Sequence, residues 1–136
     1  MPVLPDGVFI VPGFLTSDEC AQHIADSEAH GFETATIETS RGVIRDPLIR
    51  DNDRIIRDDE RMARALWRRL APYLPPFIDG RQAWGLNERF RVYRYRPGQK
   101  FAGHVDGSFR RENGERSLLT VLPQYVGARN MSCARM

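Results

Sequence analysis

A histidine and an aspartate one residue apart, His104 and Asp106, are the residues of this chain whose types and spacing best suit chemistry. They sit in Tyr95-Arg-Pro-Gly-Gln-Lys-Phe-Ala-Gly-His104-Val-Asp106-Gly. Side chains on an extended segment alternate from face to face, so residues i and i+2 point the same way. An imidazole nitrogen and a carboxylate oxygen are thereby set side by side, as two of the three ligands of a 2-His-1-carboxylate facial triad for non-haem Fe(II). The third ligand should be a histidine further along the chain. The three histidines are His23, His30 and His104, so none follows Asp106. The expectation is a metal site short of one protein ligand. The alternative is a loop histidine hydrogen-bonded to a nearby aspartate.

Strands and turns must position this pair. Around Phe90 the pattern predicts a strand with Phe90, Val92 and Arg94 on one face and Arg91, Tyr93 and Tyr95 on the other. Pro97-Gly98 is a turn signal, and Phe101 to Val105 is expected to return as the ligand strand. Asn113-Gly114 is a second turn, and the apolar run Ser117 to Leu122 reads as a third, buried strand. Upstream, Gly7 to Val11 reads as a short first strand. Thr16 and Glu19 have capping-box spacing, which predicts a helix to about Ala29 with Gly31 as its stop. His23 and His30 fall there and read as surface or boundary residues. Phe32 to Glu38 predicts a strand, and Arg41 to Asp53 an irregular polar segment. Asp58-Asp59 should cap a second helix whose apolar stripe is Met62, Ala65, Leu66, Arg69 and Leu70, with Trp67 beside it. Pro72, Pro75 and Pro76 end that helix.

Over Glu88 to Leu122 the aromatic-rich strand, Tyr-x-x-Gly-Gln, His-x-Asp and a following apolar strand occur in order. This stretch resembles the first metal-ligand segment of the Fe(II)/2-oxoglutarate-dependent dioxygenases, in their prolyl 4-hydroxylase-like branch. The likeness extends more loosely to Ser17-Asp18-Glu19-Cys20, the run Arg50-Asp51-Asn52-Asp53-Arg54 and Leu74-Pro75-Pro76, and it ends near Leu122. The resemblance implies a double-stranded β-helix, or jelly-roll, core behind N-terminal helices, an α+β fold. It implies Fe(II), 2-oxoglutarate, O2 and ascorbate as cofactors, and hydroxylation of a peptidyl or small-molecule substrate with release of succinate and CO2. By the same likeness His104 and Asp106 would hold the metal. Tyr95 would help hold 2-oxoglutarate, with Tyr93 as the alternative and a core tyrosine as the plain reading. Thr120 would line the cosubstrate pocket, and Gln99 and Gly98 would set the ligand strand. Asn52 and Arg54 would lie near the substrate entrance or, equally, form a surface salt-bridge cluster. Arg116 could pair with Glu115 or with Asp106.

The family pattern departs after Leu122, where Pro123 and a weakly patterned tail follow. Residues 1–122 therefore read as the N-terminal and first metal-ligand portion of one domain, and 123–136 as an atypical tail from a frameshift, an alternative end or a truncation. The expectation is that the C-terminal strands are missing, that Phe90, Val92, Leu118 and Val121 lose part of their cover, and that an open sheet edge invites self-association. The chain itself would then be inactive or weak. The alternative function is a non-catalytic remnant that binds a protein partner through that edge.

Composition narrows the classes. Of the twenty basic residues only Lys100 is not arginine, but eighteen acidic residues leave a net charge of +2, which argues against nucleic-acid binding. No apolar run approaches a membrane span, and the N-terminus lacks a signal-peptide pattern. Cys20 and Cys133 form no Cys-x-x-Cys pair, which fits a reducing, cytoplasmic setting.

Overall fold

The computed structural model describes residues 8–125 and 132–135. Helix α1 spans Ser17–His30 and starts where the capping box places it. The Thr16 hydroxyl accepts from the Glu19 amide at 3.1 Å, and the Glu19 carboxylate accepts from the Thr16 amide at 2.8 Å. The extended run that follows is split into β1 (Glu33–Thr34) and β2 (Ile37–Thr39). Ala35, between them, is fully buried and donates its amide to the Asn52 carbonyl at 3.0 Å. β3 (Gly42–Ile44) closes a hairpin on β2 inside the segment predicted to be irregular. β4 (Asp53–Asp58) leads to α2 (Glu60–Leu70), whose N-cap Asp59 accepts from the Met62 amide at 2.8 Å.

A 3-10 turn over Ala71–Tyr73 ends α2 at Pro72. β5 (Phe77–Ile78) and β6 (Arg81–Gln82) form a hairpin around Asp79-Gly80. Both turn residues have positive φ, 49° and 70°, as a tight Asp-Gly hairpin turn requires. β7 (Arg89–Arg94) is the strand read from the Phe90 pattern. β8 (Gln124–Tyr125) and β9 (Ser132–Arg135) lie in the tail. The main sheet has the order β1-β4-β7-β9-β8, with every pair antiparallel. The fold is α+β.

The core is built on one face of β4 and β7. Ile55 stands opposite Val92, and both are buried. Phe90, fully buried, packs with Ala63 and Leu66 of α2. The α2 stripe is Ala63, Leu66 and Leu70, at the i, i+3, i+7 spacing of one helix face. The predicted Ala65 and Arg69 are exposed, because the helix presents its Ala63 side to the sheet. Arg94, on the same face as Val92, bonds Glu28 of α1 at 2.7 Å and Asp53 at 2.8 Å and lies over the Phe32 ring. Burial disfavours its charge, but the two carboxylates outweigh this and raise its pKa.

Several expectations are corrected. Val8 to Val11 makes no strand beyond a bridge at Phe9. Phe101 to Val105 and Ser117 to Leu122 are not strands; their surroundings offer only single bridges, Arg50 with Phe101 and Arg110 with Arg116. A strand persists only where a neighbour satisfies its amides and carbonyls. The edge of β7 that would have served is paired instead with β9, Val92 facing Ala134 and Tyr93 facing Cys133. Residues 132–135 thus cover that edge of β7, and Phe90 and Val92, expected to lose part of their cover, are buried. The remainder of the tail, 126–131 and 136, lies outside the described residues. No helix among the described residues is long and apolar enough to cross a membrane.

Candidate metal centre

His104 and Asp106 lie on the irregular segment after Phe101, and the structure brings them together without a strand. The turn before them forms as its residues predict. Gly98 has φ 82°, and the Gln99 amide donates to the Arg96 carbonyl at 2.9 Å. Gln99 then donates its side-chain amide to the Asp51 carbonyl at 2.9 Å, and the Lys100 amide donates to the Asp51 carboxylate at 2.6 Å. Ala102 donates its amide to the Ile49 carbonyl at 2.8 Å. The segment leading to His104 is therefore docked on residues 49–51.

From there a stack of side chains reaches the imidazole. The Arg50 guanidinium lies 4.4 Å from the centre of the Tyr93 ring and 4.0 Å from that of Phe101. The Phe101 ring stacks on His104 with centroids 3.7 Å apart. Tyr93 alternates with Phe90 and Val92 along β7, so this stack stands on the sheet face opposite α2. Arg50 is buried, and no carboxylate pairs with it among the described residues. Two aromatic faces and a bond from its Nε to Asn52 Oδ1 at 2.9 Å offset part of that cost.

The polar geometry of the pair is specific. His104 Nδ1 is 2.8 Å from the Ala102 carbonyl oxygen. A carbonyl only accepts, so Nδ1 carries the proton and donates. His104 Nε2 then faces Asp106 Oδ1 at 3.2 Å. A cation between the two could take one donor atom from each. Two ligands at about 2.1 Å on adjacent corners of an octahedron stand about 3 Å apart, close to the separation seen. An imidazole whose other nitrogen donates to a carbonyl is also the usual orientation for a metal-binding histidine. The second Asp106 oxygen, Oδ2, accepts from the Thr120 hydroxyl at 3.0 Å.

One imidazole and one carboxylate at this separation fit two of the donors that a divalent cation would need. Among the described residues no group of three His, Cys, Asp or Glu side chains converges, so a third ligand is not assembled there.

The other predicted residues divide between near and far. Thr120 is at the pair, and with Asp106 it lines a cavity of about 270 Å³. Tyr95 lies just past the end of β7, half-buried, and lines neither this cavity nor the larger cleft beside α2. Asn52 is fully buried and commits its side chain to Arg50 and to the Asp53 carbonyl at 2.9 Å. Arg54 reaches the Thr36 hydroxyl at 2.7 Å and Glu33 at 3.8 Å; burial and the neighbouring Arg50 lower its pKa. Asn52 thus holds Arg50 in the stack, and neither Asn52 nor Arg54 lines the cavity. Sequence reading missed Arg50 as the pillar under Phe101 and His104, because only the tertiary contact singles it out from nineteen arginines.

The chain matches no protein-family model, no curated protein and no solved structure.

Proposed function

We propose that the chain is a Fe(II)- and 2-oxoglutarate-dependent dioxygenase of the prolyl 4-hydroxylase-like type, with a jelly-roll core and a peptidyl or small-molecule substrate. One observation carries the reading. His104 Nε2 and Asp106 Oδ1 face each other at ligand separation, while the other polar atom of each side chain is held by Ala102 and Thr120. When bound, Fe(II) with 2-oxoglutarate, O2 and ascorbate supplies the oxidising chemistry, which releases succinate and CO2. The chain's own residues do the rest. The Ala102 carbonyl fixes the imidazole tautomer, and Phe101 on Arg50 fixes the plane of the ring. Thr120 orients the carboxylate. Two cysteines outside any Cys-x-x-Cys pair support a reducing, cytoplasmic setting.

Metal titration tests the reading. Mn(II) or Co(II), as surrogates for Fe(II), should bind the wild type and lose at least about tenfold in affinity in His104→Ala and in Asp106→Ala. Equal affinity in wild type and both variants would overturn the site and leave the non-catalytic, protein-binding alternative. Turnover is a second test. With two protein ligands in place, this 136-residue chain should form little succinate from 2-oxoglutarate. Robust succinate formation, lost in Asp106→Ala, would mean that another group completes the site.

A further inference from the structure

A separate cleft of about 730 Å³ lies between α2, the β5–β6 hairpin and the 109–117 loop. Neither His104, Asp106 nor Thr120 lines it. Local geometry builds its walls. Ala63 and Trp67, at i and i+4, turn one side of α2 toward the cleft. The positive φ of Asp79 and Gly80 closes the hairpin, and the Ala83 amide donates to the Pro76 carbonyl at 2.9 Å. That hairpin brings Arg81 and Trp84 to the cleft. Phe109 comes from the loop.

The aromatic surface of the cleft is open. Trp84 is 76% exposed, Phe109 is exposed and Trp67 is half-buried. A tryptophan outside any core leaves a large flat apolar face in water. The carboxylates of the cleft, by contrast, are spent. Glu60 pairs with Arg64 at 3.4 Å, Glu88 accepts from Arg111 Nη1 at 3.1 Å, and Glu115 bonds Arg111 at 3.2 Å rather than the adjacent Arg116. Arg81 has no carboxylate among the described residues; its guanidinium reaches only the neutral Gly114 carbonyl, at a long 3.4 Å. What remains unspent is a cationic fork and open ring faces. A guanidinium matches a carboxylate with two parallel hydrogen bonds, and an aromatic ring stacks on another. The volume falls within the range of small-molecule sites. We infer that this cleft binds a planar aromatic monocarboxylate, its ring on Trp84 and its carboxylate on Arg81. The site does not depend on the metal.

Calorimetry with 2-naphthoate in the presence of EDTA tests this, and the absence of metal keeps its outcome separate from the metal reading. 2-Naphthoate should bind the wild type and lose at least about tenfold in affinity in Trp84→Ala and in Arg81→Gln. Arg81→Lys, which keeps the charge but not the fork, should retain part of the binding. Phe77→Ala, which removes another exposed ring outside the cleft, should bind as wild type does. Trp84→Ala should unfold at the wild-type Tm, since Trp84 lies outside the core. Cyclohexanecarboxylate has the charge without the flat ring, and 2-naphthalenemethanol has the ring without the charge; each should bind at least about tenfold more weakly. Absent binding, wild-type affinity in Trp84→Ala or Arg81→Gln, an equal loss in Phe77→Ala, a control compound binding as tightly as 2-naphthoate, or displacement of 2-naphthoate by 2-oxoglutarate would overturn the proposal.

Discussion

The half of the molecule built on β4, β7 and α2 and the half that carries the candidate site are held by different forces. In the first, Ile55, Val92, Phe90, Ala63 and Leu66 are buried against one another, and paired strands satisfy the backbone. In the second, from Ala102 to Pro123, single bridges and side-chain-to-backbone bonds stand in for a core, and Val105 is 96% exposed. Burial is non-directional and tolerates small errors of position, whereas a pair of candidate metal ligands would need defined angles. The chain meets that need by hanging His104 on a pillar that starts in the first half: Tyr93 of β7, then Arg50, then Phe101. The site borrows its rigidity from the framework.

The largest effect expected from this contrast is on Phe90. Phe90→Ala removes a fully buried ring from the α2 interface and should cost about 3–5 kcal/mol, a large part of the stability of a small domain. Denaturant unfolding measures it. A loss under about 1 kcal/mol would mean that the core lies elsewhere.

A smaller, pH-dependent effect should separate the two halves. The hydrogen bond from Arg111 lowers the pKa of Glu88 below its ordinary 4.5, and this pair ties the 109–117 loop to the framework. A carboxylate whose folded pKa is depressed adds stability that is full above its unfolded pKa and is lost as pH falls through the folded one. Asp58, lowered by its two bonds to Arg89, and Glu19, lowered by Arg69, follow the same sign. As pH falls below about 4.5, amides such as Arg111 and Ser117 should lose hydrogen-exchange protection before those of β7. Simultaneous loss in the two regions would show that the loop is not separately tethered.

The smallest effect is at Val105, between the two candidate ligands. Val105→Ser should change stability by no more than about 0.5 kcal/mol and leave metal affinity intact, since its side chain is outside any core. A larger change would show that Val105 is covered in solution and that this segment packs more tightly than described.

Local chemistry determined much of the framework, and it could be read without neighbours. Thr16 with Glu19, Asp59 before α2, Pro97-Gly98 and Asn113-Gly114 act within four or five residues, so their turns and caps form as their types predict. The alternation at Phe90 to Arg94 sufficed for β7. β4 was not legible, because Ile55 and Ile56 stand between charges whose partners, Arg94 and Arg89, lie far along the chain. The apolar run Leu118 to Leu122 misled for the converse reason: its composition suits a strand, but β9 occupies the β7 edge. At the site, the His-x-Asp spacing by itself determined that an imidazole and a carboxylate would lie close, as two residues apart nearly must. Only the tertiary structure decided what surrounds them. The Arg50 stack and the Thr120 bond to Asp106 join residues 14 to 51 positions apart, and no local rule encodes which of many arginines is buried.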